Sequence, residues 1–280
     1  MPNRILLSAV QLNELITDKE CIAVDCRFDL ADPAAGRKAW LEEHVPGAAY
    51  AHLDDDLSSP VEAHTGRHPL PDSEEFARFL ASIGWTEDLL LVACDEGSSA
   101  LAVRLWWLMR YHGKAAAVLD GGLAAWKDAG LPLEAGETVT TPSAQVVLVP
   151  DESMAVNVDR LHAQLEELSL LDARAPERFS GEVEPLDTIA GHIPGAINRP
   201  FDDNLQSNST FKSPGELRAE FSGLLEAAGP GGVVHSCGSG VTACHNLFAM
   251  ELAGLGGTRL YPGSWSEWIR DPARPIETGA

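Results

Sequence analysis

Apolar residues along this chain alternate between two rhythms. Short unbroken apolar runs bounded by polar or Gly-rich residues, Cys21–Val24, Leu89–Cys94 and Ala115–Leu119, predict buried strands in the first half. Between the last two, Ala100, Val103, Trp107 and Tyr111 recur at helical spacing and predict one face of a helix. The second half repeats the order. Strands are predicted near Leu168–Leu171 and Gly232–Ser236, followed by a helix whose buried stripe carries Val241, Cys244, Phe248, Leu252 and Leu255. Strands alternating with helices predict an α/β class with a parallel sheet in each half.

The halves also share words. IAVDCR, HVPGA, LLVACDEGSSA and LDGGLAAW in the first answer to LLDARA, HIPGA, VVHSCGSGVTA and YPGSWSEW in the second. Asp25 and Asp172 stand 147 positions apart, Pro46 and Pro194 148, and Trp126 and Trp268 142. A period this long means a duplicated domain rather than a solenoid. The 142-residue register that joins Gly121 to Gly263 sets Asp95 opposite Cys237, so one copy has a carboxylate where the other has a thiol. A length of 280 residues suits two such domains. Weak periodicity over Leu133–Asn157 marks the linker, with the second domain starting near 145–155. The expected division is 1–140, without a nucleophile, and 141–280, with one. Val183–Ala190 and Asp202–Pro214 read as surface loops.

Charge narrows the partners. With 20 basic and 42 acidic residues the formal charge is −22, which argues against nucleic acid and against anionic membrane surfaces. Small molecules and less acidic proteins remain, and an anionic substrate would need a local positive site. There is no apolar run of membrane-spanning length, and the N-terminus lacks the pattern of a signal peptide, so a cytoplasmic location is expected. Cys21, Cys26, Cys94, Cys237 and Cys244 are odd in number and without metal-ligand spacing. Reduced thiols are expected, with no metal.

The candidate chemistry lies in VVHSCGSGVTACHN, which passes from an apolar strand through a Gly-rich turn into a helix. Such a turn aims successive backbone N–H groups into one concavity and stabilises a thiolate on Cys237, the attacking form. Gly238 and Gly240 are expected to supply the left-handed backbone of a tight cradle. The rival reading is an inert buried cysteine, which suits Cys21, Cys26, Cys94 and Cys244 better. Cysteine phosphatases use a similar strand–loop–helix design but close the loop with an Arg that grips phosphate. Ala243 stands at that position here, and the loop has no basic residue. A neutral cradle fits one extra sulfur better than a phosphoryl group.

Through CGSGVTA, supported by DARAPERFSG, GHIPGAIN, TGRHPLP, LDGGLAAW and GSWSEW, the chain from Leu12 to Trp268 resembles the tandem-domain rhodanese sulfurtransferases. Its loop looks like that of the 3-mercaptopyruvate enzymes rather than the C-R-K-G-V-T of thiosulfate-specific ones. The resemblance implies two rhodanese-like domains, each a parallel sheet flanked by helices, and a ping-pong reaction without cofactor. Cys237 would take a sulfane sulfur from 3-mercaptopyruvate or thiosulfate and pass it to cyanide, a thiol or thioredoxin. It further implies that Ser239 acts with His68 and Asp54 in a cleft between the domains. Arg178, Arg67 and the loop residues Gly238, Gly240, Val241 and Thr242 would contact the donor. A second arginine expected in the E-P-R segment is Leu186 here, and Arg67 is the candidate to supply the missing charge. His44 and His192 occur in both H-x-P-G-A turns and are assigned to turn stability. A non-enzymatic sulfur carrier and a phosphatase remain the alternatives.

Overall fold

The computed structural model describes residues 5–225 and 232–279. The chain forms two compact units: one of residues up to Ser59 with Leu70–Asp151 and Ser207–Thr210, the other of Pro60–Pro69, Glu152–Gln206 and the chain from Phe211. Pro60–Pro69, although it lies within the first half of the sequence, belongs to the second unit. Arg67 and His68 therefore sit in the same unit as Cys237.

In the first unit β1 (Leu6–Leu7), β2 (Cys21–Asp25), β3 (Ala49–Tyr50), β4 (Leu90–Cys94) and β5 (Ala116–Leu119) form one sheet in the order β1-β5-β4-β2-β3, every pairing parallel. Helices α1 (Ala9–Asp18), α2 (Ala35–Glu42), α3 (Ser73–Ser82), α4 (Ala102–Tyr111) and α5 (Gly122–Asp128) supply its crossovers and flanks. Leu7, Leu12, Val92, Leu119 and Trp126 share one core cluster. In the second unit β6 (Ser169–Asp172), β7 (Ile197–Asn198), β8 (Val233–Ser236) and β9 (Arg259–Leu260) are ordered β7-β6-β8-β9, again all parallel. Its helices are α6 (Val158–Ala163), α7 (Pro176–Ser180), α8 (Pro214–Leu224), α9 (Ala243–Leu252) and α10 (Ser264–Trp268). Leu161, Leu170, Val234, Tyr261, Trp265 and Trp268 form the core beside them. No described helix is long and apolar enough to cross a membrane.

Strand register lets the two copies be matched residue by residue. Asp25 pairs with Cys94 in one sheet and Asp172 with Ser236 in the other, so the next residues, Asp95 and Cys237, occupy equivalent strand ends. The backbone repeats the match. Leu123 N–H donates to the Asp95 carbonyl at 2.8 Å, and Trp265 N–H to the Cys237 carbonyl at 3.0 Å. Arg27 pairs with Asp25 at 2.8 Å and Arg174 with Asp172 at 2.7 Å, both in buried positions. His44 and His192 each lie within hydrogen-bond reach of a carbonyl through Nδ1, Trp40 O at 2.7 Å and Phe179 O at 2.8 Å.

Three expectations need correction. Ala100 precedes α4, and Val241 and Leu255 lie outside α9, because both helices are shorter than their apolar stripes. Over Ala243–Met250 every residue of α9 is buried, which is why periodicity alone misjudged its length. The Asp202–Pro214 segment is not wholly a surface loop: Asn204 is fully buried and its side-chain nitrogen meets His245 Nδ1 at 3.0 Å and Asn246 Oδ1 at 2.7 Å. The segment read as linker begins inside the first unit, where Glu134 exchanges backbone hydrogen bonds with His44.

Candidate active site

Cys237 ends up at the tip of β8 because four buried residues, Val233–Ser236, carry the strand through the core and a Gly-rich loop stops it. Its side chain is 2 % exposed. Gly240 N–H donates to Cys237 Sγ at 3.2 Å, the hydrogen bond expected of an amide cradle holding sulfur. Gly240 has φ +76°, and a β-carbon there would lie 2.3 Å from the Pro262 carbonyl oxygen, so both conformation and space demand glycine. Val241 is buried, and Thr242 is the N-cap of α9. Cys244 is fully buried and donates its thiol proton to the Gly240 carbonyl, which makes it part of the scaffold behind the loop.

Gly238 serves a different purpose from the one expected, since its backbone is not left-handed. A β-carbon at Gly238 would lie 2.8 Å from Arg67 Nη2 and 3.5 Å from both terminal nitrogens of Arg178. Two guanidinium groups therefore close on the loop where a side chain would block them. The loop itself is neutral, but its surroundings are not. Leu186, at the position of the expected second arginine, is exposed and supplies no charge.

The arginines are held by carboxylates that sequence reading left in a surface loop. Arg178 Nη2 donates to Glu184 Oε1 at 2.7 Å and reaches Asp187 Oδ2 at 3.4 Å, while Arg67 Nη1 pairs with Asp187 Oδ1. The Glu184 and Asp187 side chains are 3 % and 5 % exposed, so this loop is anchored from within even though Val183 and Leu186 face solvent. Burial alone would raise the Glu184 carboxyl, but the Arg178 hydrogen bonds and charge and two backbone N–H groups hold it below its ordinary value. Arg174 completes the cluster, pairing with Asp172 and lying 3.5 Å from Glu184. Three guanidinium groups, matched by the carboxylates of Asp172, Glu184 and Asp187, thus gather beside the Cys237 loop.

His68 and Ser239 meet directly. His68 Nδ1 lies 2.7 Å from Ser239 Oγ, and both residues are buried. In the tautomer protonated at Nε2, the histidine accepts the hydroxyl proton. The TGRH segment reaches this position because Gly66 lies against α10: a β-carbon there would be 2.5 Å from the Gly263 carbonyl. Arg67 N–H then donates to Ser266 Oγ at 3.0 Å. Asp54 lies in the first unit, on the exposed turn after β3, and burial raises its carboxyl above the ordinary value against the opposing pull of His52.

In the first unit the equivalent cradle holds a carboxylate. Asp95 Oδ1 accepts from Gly97 and Ser99 N–H at 3.0 and 2.9 Å, and Oδ2 from Leu101 and Ala102 N–H at 3.0 and 3.3 Å. Four amides that could cradle an anionic sulfur are occupied. Neighbouring Cys94 is 1 % exposed, and its thiol is pushed well above its ordinary value by burial first and by Asp25 and Asp95 after it. We expect no donor-derived sulfur on Cys94 in a Cys237→Ser variant. Peptide mapping after donor treatment checks this, and sulfur on Cys94 would show the first unit to be reactive.

Known proteins resemble this chain in sequence and in fold. The rhodanese-like domain model matches residues 8–129 and 157–271. A probable 3-mercaptopyruvate sulfurtransferase of Pseudomonas aeruginosa is 50% identical over 284 residues, covering 100% of both chains. A putative thiosulfate sulfurtransferase of Mycobacterium tuberculosis is 39% identical, covering 99% of this chain and 98% of its own. The 3-mercaptopyruvate sulfurtransferase from Leishmania major superposes with a TM-score of 0.86 at 33% identity, over 97% of this chain and 76% of that one. With both halves matched and relatives aligned along their whole length, the chain belongs to the rhodanese family of tandem-domain sulfurtransferases.

Proposed function

We propose that this sulfurtransferase uses 3-mercaptopyruvate as its preferred donor, with Cys237 as nucleophile. The Cys237 thiolate attacks the donor sulfur. As the S–S bond forms, the C–S bond breaks and its electron pair passes to carbon, leaving the enolate of pyruvate to take up a proton. The Cys237 persulfide then gives its outer sulfur to cyanide or a thiol, thioredoxin among them, and the thiolate returns. Domain 141–280 supplies the nucleophile, the segment Pro60–Pro69 adds Arg67 and His68, and domain 1–140 has no nucleophile of its own. Gly238, Gly240, Val241 and Thr242 shape the seat for the transferred sulfur, and the protein works in the cytoplasm.

The observation that carries the choice of donor is the approach of Arg67 and Arg178 to Gly238. Two guanidinium groups beside a neutral sulfur cradle suit a molecule with a carboxylate at one end and a thiol at the other. The His68–Ser239 pair supplies a hydroxyl able to exchange a proton with the departing enolate. A carrier without turnover would have no use for such a buried relay. A phosphatase would need the closing arginine, and Ala243 is instead the first residue of α9.

Steady-state kinetics with 3-mercaptopyruvate and thiosulfate side by side, cyanide as common acceptor, test the donor. We expect kcat/KM for mercaptopyruvate to exceed that for thiosulfate by at least about tenfold, the value of one modest charge-assisted contact. A preference for thiosulfate would leave sulfur transfer intact and overturn the choice of donor.

A further inference from the structure

Two backbone hydrogen bonds that hold the end of β8 recur at the end of β4. Trp265 N–H and Ser266 N–H donate to the carbonyls of Cys237 and Gly238 at 3.0 and 2.9 Å. In the other copy Leu123 and Ala124 grip Asp95 and Glu96 in the same way, at 2.8 and 3.0 Å. The residue that opens the following helix differs in kind but not in conformation. It is Gly122 in the first unit, with φ +55°, and Ser264 in the second, with φ +51°. Both copies need the left-handed conformation, which glycine adopts freely and serine does not. At Gly122 a β-carbon would also lie 2.5 Å from the Asp95 carbonyl oxygen. The copy with the thiol therefore carries a strained, fully buried serine where the copy without it carries the residue the backbone prefers.

The serine hydroxyl shows what the strain supports. Ser264 Oγ accepts from Cys237 N–H at 3.0 Å and donates to the Tyr261 carbonyl at 3.0 Å. Cys237 is thereby fixed at both of its backbone polar groups, N–H by Ser264 and carbonyl by Trp265. Strain at a residue that touches the nucleophile's own amide points to a role in the site.

We propose that Ser264 is a positioning residue for sulfur transfer. By locking the Cys237 backbone it keeps Sγ under the Gly240 amide, so that the thiolate forms and attacks from one orientation. This rests on Cys237 being the nucleophile, and Ser264 itself touches neither donor nor the reacting sulfur. Without the hydroxyl, Cys237 N–H loses its acceptor, the residue can rotate, and Sγ leaves the amide that stabilises its charge.

Two variants of the full chain test it. Ser264→Gly restores the residue of the other copy and relieves the strain; Ser264→Ala keeps the β-carbon and removes only the hydroxyl. The primary measurement is the pH dependence of Cys237 alkylation by iodoacetamide, followed on the Cys237 peptide, which needs no sulfur donor. In both variants the midpoint of the profile should move upward, and kcat for sulfur transfer should fall by about tenfold, one lost positioning contact, with KM little changed. The unfolding midpoint of Ser264→Gly should stay within about 4 °C of the wild type, the scale of one small compensated change in a chain of this size. A wild-type alkylation profile in either variant overturns the proposal. A lowered unfolding midpoint with an unmoved profile does so too, by making Ser264 merely structural. A wild-type protein that alkylates normally but never gains sulfur from a donor would count against the sulfur-transfer reading instead, and the alkylation comparison would still decide the role of Ser264.

Discussion

Cys237→Ser should lose sulfur transfer from either donor by at least about a thousandfold, the scale seen when a nucleophile is removed. A serine hydroxyl is barely ionised at neutral pH and forms no persulfide. The Gly240 amide would still face it, at a position that now holds oxygen rather than the sulfur it reaches at 3.2 Å. Cys244→Ser is the matching control. That thiol is fully buried and donates to the Gly240 carbonyl, a bond a hydroxyl can also make, so the variant should keep most of its turnover. Its expected cost is about 1 kcal/mol of stability. Cyanide-dependent turnover measured alongside thermal unfolding separates the two effects. Full activity in Cys237→Ser would remove the nucleophile from the scheme.

The second large effect concerns the donor. Arg67→Ala and Arg178→Ala should each raise KM for 3-mercaptopyruvate by roughly 10- to 150-fold, corresponding to the loss of about 1.5 to 3 kcal/mol from one charged hydrogen bond. KM reports affinity here only if chemistry is slower than donor dissociation, so pre-steady-state loading of sulfur should accompany the steady-state assay. Because Asp187 pairs with both arginines, the double variant should depart from additivity. Removing either guanidinium also leaves Asp187 with one of these two partners, so its charge is less well offset beside the donor carboxylate. Thiosulfate turnover should fall less than mercaptopyruvate turnover. If both donors were served equally well by Arg178→Ala, Arg178 would not hold the carboxylate.

Much of this site could be read from residue order alone, and the reasons it could are physical. Cys237 stands out because a strand-ending thiol before Gly-Ser-Gly has few structural uses. Its match with Asp95 follows from the repeat, and parallel register pairs Asp25 with Cys94 and Asp172 with Ser236 to the same effect. The two-residue strands β1, β3, β7 and β9 could not be read, since two residues carry no periodicity. Glu184 and Asp187 escaped for a related reason. They sit in a polar segment that looks solvated, and only the arginines packed on it make them buried. Arg67 and Arg178 were expected beside the neutral loop only through the family resemblance, because Arg67 lies 170 positions before Cys237 in the chain and no local pattern reports such a contact. Gly238 was assigned to backbone conformation when its real constraint is the approach of two guanidinium groups.

Intact mass of the wild-type protein before and after incubation with 3-mercaptopyruvate, without acceptor, tests the central claim most directly. The protein should gain the mass of one sulfur atom, located by peptide mapping on Cys237, and should lose it when cyanide is added. No gain, or a gain on any cysteine other than Cys237, would contradict it.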